Sequence, residues 1–190
     1  SLGSGAGHGR ACPARRVSIP NLRGGGRVDD THDGSHSREP QIGDLVRLAR
    51  SLNDHHVEYV LIGGFAVIAH GAGRTTKDID LLIEAGPANV ARVREALQIL
   101  EDKAVNDVAD EDVARYSVIR VADEIVVDLM ARACGVDYAD AKRDAVEILF
   151  DGVPMVVASP RTLIRTKDTF RPSDAADRQF LQALIDETAK

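Results

Sequence analysis

From Glu58 to Glu84 the chain runs through an apolar stretch, a glycine pair, a second apolar stretch and two acids separated by one residue. Glu58-Tyr-Val-Leu-Ile62 reads as a short strand, Gly63-Gly64 as a tight turn, and Phe65 to Ala69 as the start of a helix that ends by Gly71 to Gly73. Lys77 to Glu84 is the next strand, and it carries Asp78 and Asp80. A strand repeats every two residues, so both carboxylates fall on one face, about 7 Å apart along the backbone. Two acids so placed can hold a divalent metal. The glycine pair allows close backbone approach to phosphate oxygens and aims N–H groups from the helix start at them.

The rest of the chain supplies partners for this unit. Ile42, Leu45, Val46, Leu48, Ala49 and Leu52 recur at helical spacing. Pro87 opens a further helix with Val90, Val93, Ala96, Leu97 and Leu100 on one face. Tyr116 to Val121 and Glu124 to Met130 read as an antiparallel pair turning at Ala122-Asp123, and the second bears a third acid, Asp128. Val146 to Phe150 and Val153 to Val157 flank Asp151-Gly152, a hairpin signal. Two helices close the chain, from Pro160 to about Thr169 and from Ser173 to about Thr188. Strands alternating with helices, plus hairpins, predict an α/β (α+β) domain with a mixed sheet flanked by helices and a C-terminal helical segment.

Composition sets the boundaries. Residues 1–40 hold eight of the 16 glycines and three of the seven prolines with few large apolar side chains, a composition that cannot offset its ordering entropy. They are expected to form a disordered tail, leaving residues 41–190 as one domain. No apolar run approaches the roughly 20 residues of a membrane span, and Cys12 and Cys134 suggest neither a disulfide framework nor a zinc site. A soluble protein of a reducing cytoplasm, with no membrane partner, is the expectation. The net charge of −6 argues against broad attraction to nucleic acid while permitting a local basic groove. Arg161, Arg165, Lys167, Arg171 and Arg178 form such a basic cluster, read equally as a solvated surface and as phosphate-binding.

The glycine pair, thirteen residues and then Asp78-Ile-Asp80, preceded by Arg74 and Thr75, resembles the signature of the nucleotidyltransferase superfamily with its polymerase-beta-like fold. The spacing is similar to that of the AbiEii-type branch, which includes nucleotidyltransferase toxins of bacterial toxin-antitoxin pairs. Ser159-Pro160-x-x-Leu163-Ile164-x-x-Lys167, followed by Arg171-Pro172-Ser173-Asp174-x-x-Asp177, is similar to that branch's lysine helix and Arg-Pro-Lys-Asp-x-x-Asp pattern. The match runs over about residues 58–182. Ser173 stands where the pattern usually has lysine, which leaves Arg171 or Arg178 to compensate.

The resemblance implies roles. Asp78, Asp80 and Asp128 would be the catalytic acids and ligands of Mg²⁺ or Mn²⁺, with Asp128 also a base for the acceptor hydroxyl. Gly63, Gly64, Arg74, Thr75, Lys167 and Arg171 would bind the nucleotide, with Asp174 and Asp177 in support. The implied reaction moves an NMP from an NTP to a hydroxyl of tRNA or protein and releases pyrophosphate, with a cognate antitoxin as partner. Alternatives are an antibiotic nucleotidyltransferase of the aminoglycoside or lincosamide type, and a non-catalytic nucleotide-binding module. Without the resemblance, Lys167 reads as a solvated helix residue. Asp128, interrupting the apolar run Ile125 to Met130, is costly to bury without metal or hydrogen-bond partners. His70 reads as structural or solvated, and His55-His56 sits at a helix end, where cations are favoured near the carbonyl-rich terminus.

Overall fold

The computed structural model describes residues 15–17, 37–167 and 171–189. In chain order the elements are β1 (Arg15–Val17), α1 (Ile42–Asp54), β2 (Tyr59–Ile62), α2 (Gly63–Ala69), β3 (Ile79–Ile83), α3 (Pro87–Ala96) and α4 (Asp112–Arg115). There follow β4 (Ile119–Ala122), β5 (Val126–Met130), β6 (Arg132–Ala133), β7 (Val136–Asp137) and α5 (Tyr138–Lys142). The chain continues through β8 (Val146–Phe150), β9 (Val153–Val157), α6 (Pro160–Thr166) and α7 (Pro172–Thr188). Seven strands form one mixed sheet in the order β1-β4-β5-β3-β2-β9-β8, and β6 with β7 forms a separate hairpin.

The centre of that sheet is dry. Val60, Leu61, Ile79, Leu81, Leu82, Val127 and Leu129 are all at most 1% exposed, so strands β2, β3 and β5 are covered on both faces and, but for Asp80 and Asp128, read as apolar runs. Helix α1 buries Leu45, Leu48, Ala49 and Leu52 and packs against α3 and β9. Its Ser51 hydroxyl donates to the Ala96 carbonyl at 2.7 Å. Helix α2 packs on β3 and α6, and α6 on α7. Asn89, fully buried, clamps the open end of the β2–β3 pair. Its side-chain oxygen accepts from the Glu58 N–H at 2.8 Å, and its amide donates to the carbonyls of Glu58 and Glu84 at 3.0 and 2.8 Å.

The Asp151-Gly152 hairpin forms as expected. Phe150 pairs with Val153, and Asp151 and Gly152 both have positive φ, 45° and 76°, the requirement of a type I′ turn. The same geometry closes the small β6–β7 hairpin through Cys134 and Gly135, at φ 46° and 82°, a pair that is neither Asn-Gly nor Asp-Gly.

One expectation needs correction. The β4–β5 turn is not Ala122-Asp123: Ala122 pairs with Val126, so Asp123, Glu124 and Ile125 form the loop. Buried Asp123 sets this longer loop by accepting the N–H groups of Asp102, Ala104 and Glu124 at 2.8, 2.9 and 2.8 Å. Within the tail expected to be disordered, Arg15–Val17 pair in parallel with β4, covering backbone groups of an otherwise open strand edge. Ser37 and Arg38 are also tied down, by the Ser37 hydroxyl on the Asp123 carbonyl at 2.6 Å and the Arg38 fork on Asp44 at 2.6 and 2.7 Å. The rest of that tail, Cys12 included, lies outside the described residues, as does the expected end of α6 beyond Lys167. Among the described residues no helix is long and apolar enough to cross a membrane.

Candidate active site

Strand register assembles the site. Asp80 of β3 lies opposite Asp128 of β5 in the parallel β3–β5 pair, and Asp128 lies opposite Arg120 of β4 in the antiparallel β4–β5 pair. Directly opposed residues on neighbouring strands share a face, so an arginine and two acids form one row across the sheet. Asp78, in the bend just before β3, brings a third carboxylate to them. One carboxylate oxygen from each of Asp78, Asp80 and Asp128 lies within 4.8 Å of the others. Three hard oxygen donors at that spacing suit a divalent cation such as Mg²⁺ or Mn²⁺, and the cluster offers no softer ligand.

The electrostatics fit the same conclusion. Burial, and then the negative charges of Asp78 and Asp128, push the Asp80 carboxyl up to about 7, against smaller opposing effects from Lys167 and a hydrogen bond from the Gly64 backbone. Burial disfavours a charge that water no longer solvates, and like charges deepen the penalty. A divalent cation between the acids would remove both costs.

The glycine pair is needed for shape. Gly63 has φ +67°, and a Cβ there would lie 1.8 Å from Asp80 Oδ2. A Cβ on Gly64 would lie 2.2 Å from Thr76 Oγ1. Close backbone approach is therefore met first by the protein's own acid, with the Gly64 N–H on Asp80. Thr76 lines the cleft, whereas Thr75 is exposed and stands outside its lining.

Around this floor lies a cleft of about 610 Å³ whose walls include Gly63, Gly64, Arg74, Lys167, Arg171 and Asp174. Lys167, at the C-terminal end of α6, is only 7% exposed. Its ammonium contacts Asp177 Oδ2 at 2.7 Å and Asp174 Oδ1 at 3.3 Å. Arg74 also ion-pairs with Asp177. The two α7 acids thus do more than support Lys167: both engage its charge, and Asp177 also anchors the Arg74 loop to the same wall. Arg178, named in sequence as a compensating phosphate ligand, instead donates to the Lys167 carbonyl. His70 and His55 hold backbone carbonyls of Ala158 and Ser51, both at 2.8 Å, away from the acids.

Arg120 was not anticipated. Its Nε and Nη2 donate to Asp128 Oδ1 and Oδ2 at 2.9 and 2.7 Å, and Nη2 also reaches Asp78 Oδ2 at 3.2 Å. Hydrogen bonding to Asp128 raises the guanidinium pKa above its ordinary value. The alternation of Arg120 with buried Ile119 and Val121 was visible in sequence; its partner depended on the register of the hairpin.

Comparison with known proteins agrees with this geometry. Residues 44–169 match the family model described as "Nucleotidyl transferase AbiEii toxin, Type IV TA system". No curated protein matches the chain.

Proposed function

The chain belongs to the AbiEii family of nucleotidyltransferase toxins, and we propose that it transfers an NMP from an NTP to a hydroxyl of a tRNA or protein, using Mg²⁺ held by Asp78, Asp80 and Asp128. The observation that carries this reading is the convergence of three carboxylate oxygens within 4.8 Å on the floor of a cleft bordered by the glycine pair. Bound metal supplies Lewis-acid polarisation of the α-phosphoryl group and charge stabilisation at the attacking and leaving oxygens. The remaining work is positional, as phosphoryl chemistry requires. Gly63 and Gly64 seat the triphosphate above Asp80 and Thr76, for which their missing side chains leave room, and Arg74, Lys167 and Arg171, the first two already paired with acids of α7, add positive charge to the cleft wall. The acceptor oxygen forms a bond to the α-phosphorus, the bond to the β-phosphate oxygen breaks, and pyrophosphate leaves. Asp128 takes the acceptor's proton.

Family membership implies an NTP substrate and a cognate antitoxin. We assign the acceptor to tRNA or protein on the same ground, because metal and triphosphate sites are common to many acceptors while acceptor pockets are not. The test is direct. The protein and an Asp80→Ala control are incubated with Mg²⁺, each α-labelled NTP in turn, and total tRNA or protein extract. Label on tRNA or on a protein, absent with the control, is the expected result; label on neither with all four nucleotides overturns the macromolecular acceptor.

A further inference from the structure

Building on the metal-dependent reading, we propose that Arg120 is the resident counter-cation of the acid triad, an internal competitor that a divalent metal must displace from Asp128 and Asp78. Three features of the site support it. The guanidinium fork occupies both oxygens of Asp128 and one oxygen of Asp78, so two of the three acids already hold a cation. Its single charge faces three carboxylates whose oxygens lie within 4.8 Å of one another, so one guanidinium does not balance the group. Nor is Lys167 a spare cation, since Asp174 and Asp177 engage it.

The second feature is access. The Arg120 side chain is 46% exposed, whereas that of Asp128 is 7% exposed. The acid is fixed by its strand and its neighbours; the arginine stands at the cleft wall with solvent to move into. A long side chain with a free path is the partner that yields when a third charge arrives.

The third is Coulombic. A divalent ion held by these carboxylates would stand close to a guanidinium bound to the same oxygens, and like charges at such separations repel strongly where water is partly excluded. Metal entry and the Arg120 fork therefore oppose one another. Released, Arg120 faces the cleft where the triphosphate lies, and its planar fork matches phosphate oxygens as well as it matches a carboxylate. Occupation by metal and occupation by nucleotide then reinforce each other, a coupling that must be reciprocal.

Mn²⁺ binding to the full chain, read from loss of the free-ion EPR signal without nucleotide, tests the idea on wild type, Arg120→Gln and Arg120→Lys. Arg120→Gln is expected to bind Mn²⁺ about tenfold tighter than wild type, and Arg120→Lys, which keeps the charge but not the fork, in between. Circular dichroism establishes that each variant is folded, and Arg120→Lys carries the test if Arg120→Gln is not. Weaker binding by the variants would mean that Arg120 orients Asp128 for metal, and equal binding that it does neither; both overturn the proposal. Binding by none of the three proteins also overturns it, leaving the transfer reaction to be judged by the labelling experiment alone.

Discussion

Asp123 and Asp128 belong to the same hairpin and are buried to similar depth, 2% and 5% exposed, yet they are held in different ways. Asp123 accepts hydrogen bonds from three backbone N–H groups, those of Asp102, Ala104 and Glu124. Asp128 is held by the Arg120 side chain and shares its face with Asp78 and Asp80. Backbone donors cannot leave, so Asp123 is a fixed part of the loop. A side-chain cation can be exchanged for another cation. Burial of a carboxylate thus says little about function; the kind of partner says more.

The largest effect that would break this contrast is on catalysis. Asp80→Asn removes a charge from the triad, and loss of metal-assisted charge stabilisation worth several kcal/mol should lower NMP transfer by about 10³-fold or more. Because the substitution also removes the repulsion that pushes the Asp80 carboxyl up, the metal-free protein should melt at the same temperature or higher. A lower melting temperature would show that Asp80, like Asp123, is structural. Gly63→Ala approaches the same acid from the backbone side. A Cβ at φ +67°, 1.8 Å from Asp80 Oδ2, must move the carboxylate, and displacement of a positioned group by about 1 Å costs roughly a hundredfold in rate. Here the melting temperature should fall too, since an L side chain is strained at that φ.

Asp123→Ala should do the reverse. It leaves buried N–H groups without their acceptor, and at about 1–3 kcal/mol for an unsatisfied group the loss in urea unfolding should be about 3 kcal/mol. Mn²⁺ affinity should stay within twofold of wild type, about the uncertainty of additivity for separate sites. A large drop in Mn²⁺ affinity would show that the turn positions the acids and that the two ends of the hairpin are not independent.

That same turn explains what sequence could and could not reveal. Asp78 and Asp80 were legible because their one-residue spacing at the start of β3 is local, and the Asp151-Gly152 hairpin because its turn chemistry is local. Arg120 was not, since a two-residue turn at Ala122-Asp123 would set Arg120 opposite Ile125. The observed three-residue turn sets it opposite Asp128. The two registers differ by an odd number of residues, and an odd slip moves every side chain to the other face. What selects the longer turn is Asp123 reaching the backbone of Asp102 and Ala104, contacts no window of sequence around the turn contains. The α7 acids were visible as a motif, but that they engage Lys167 and Arg74 depends on how α7 packs on α6.

The smallest expected effect, and the one most specific to the difference between the two acids, is on the pH dependence of stability. The Asp80 carboxyl lies at about 7 in the fold against an ordinary 3.8, so between these values the folded protein binds more protons than the unfolded chain. Stability therefore falls as pH rises through this window: the cost of ionising Asp80 is absent below the unfolded value and complete above the folded one. Metal binds the ionised acid and must displace its proton, so the stabilisation it confers should follow the opposite trend. In differential scanning calorimetry, EDTA-treated protein should lose a few degrees of melting temperature from pH 5 to pH 8 relative to Asp80→Asn, an effect of about 1–2 kcal/mol for a domain of this size. Saturating Mg²⁺ should raise the melting temperature more at pH 8 than at pH 5, in wild type but not in Asp80→Asn. Asp123→Asn should keep the wild-type metal response at both pH values, because the acid it replaces has backbone partners that no cation displaces. An equal Mg²⁺ response at pH 5 and pH 8 in wild type would mean that Asp80 carries its charge throughout, and that the triad tolerates three ionised carboxylates without metal.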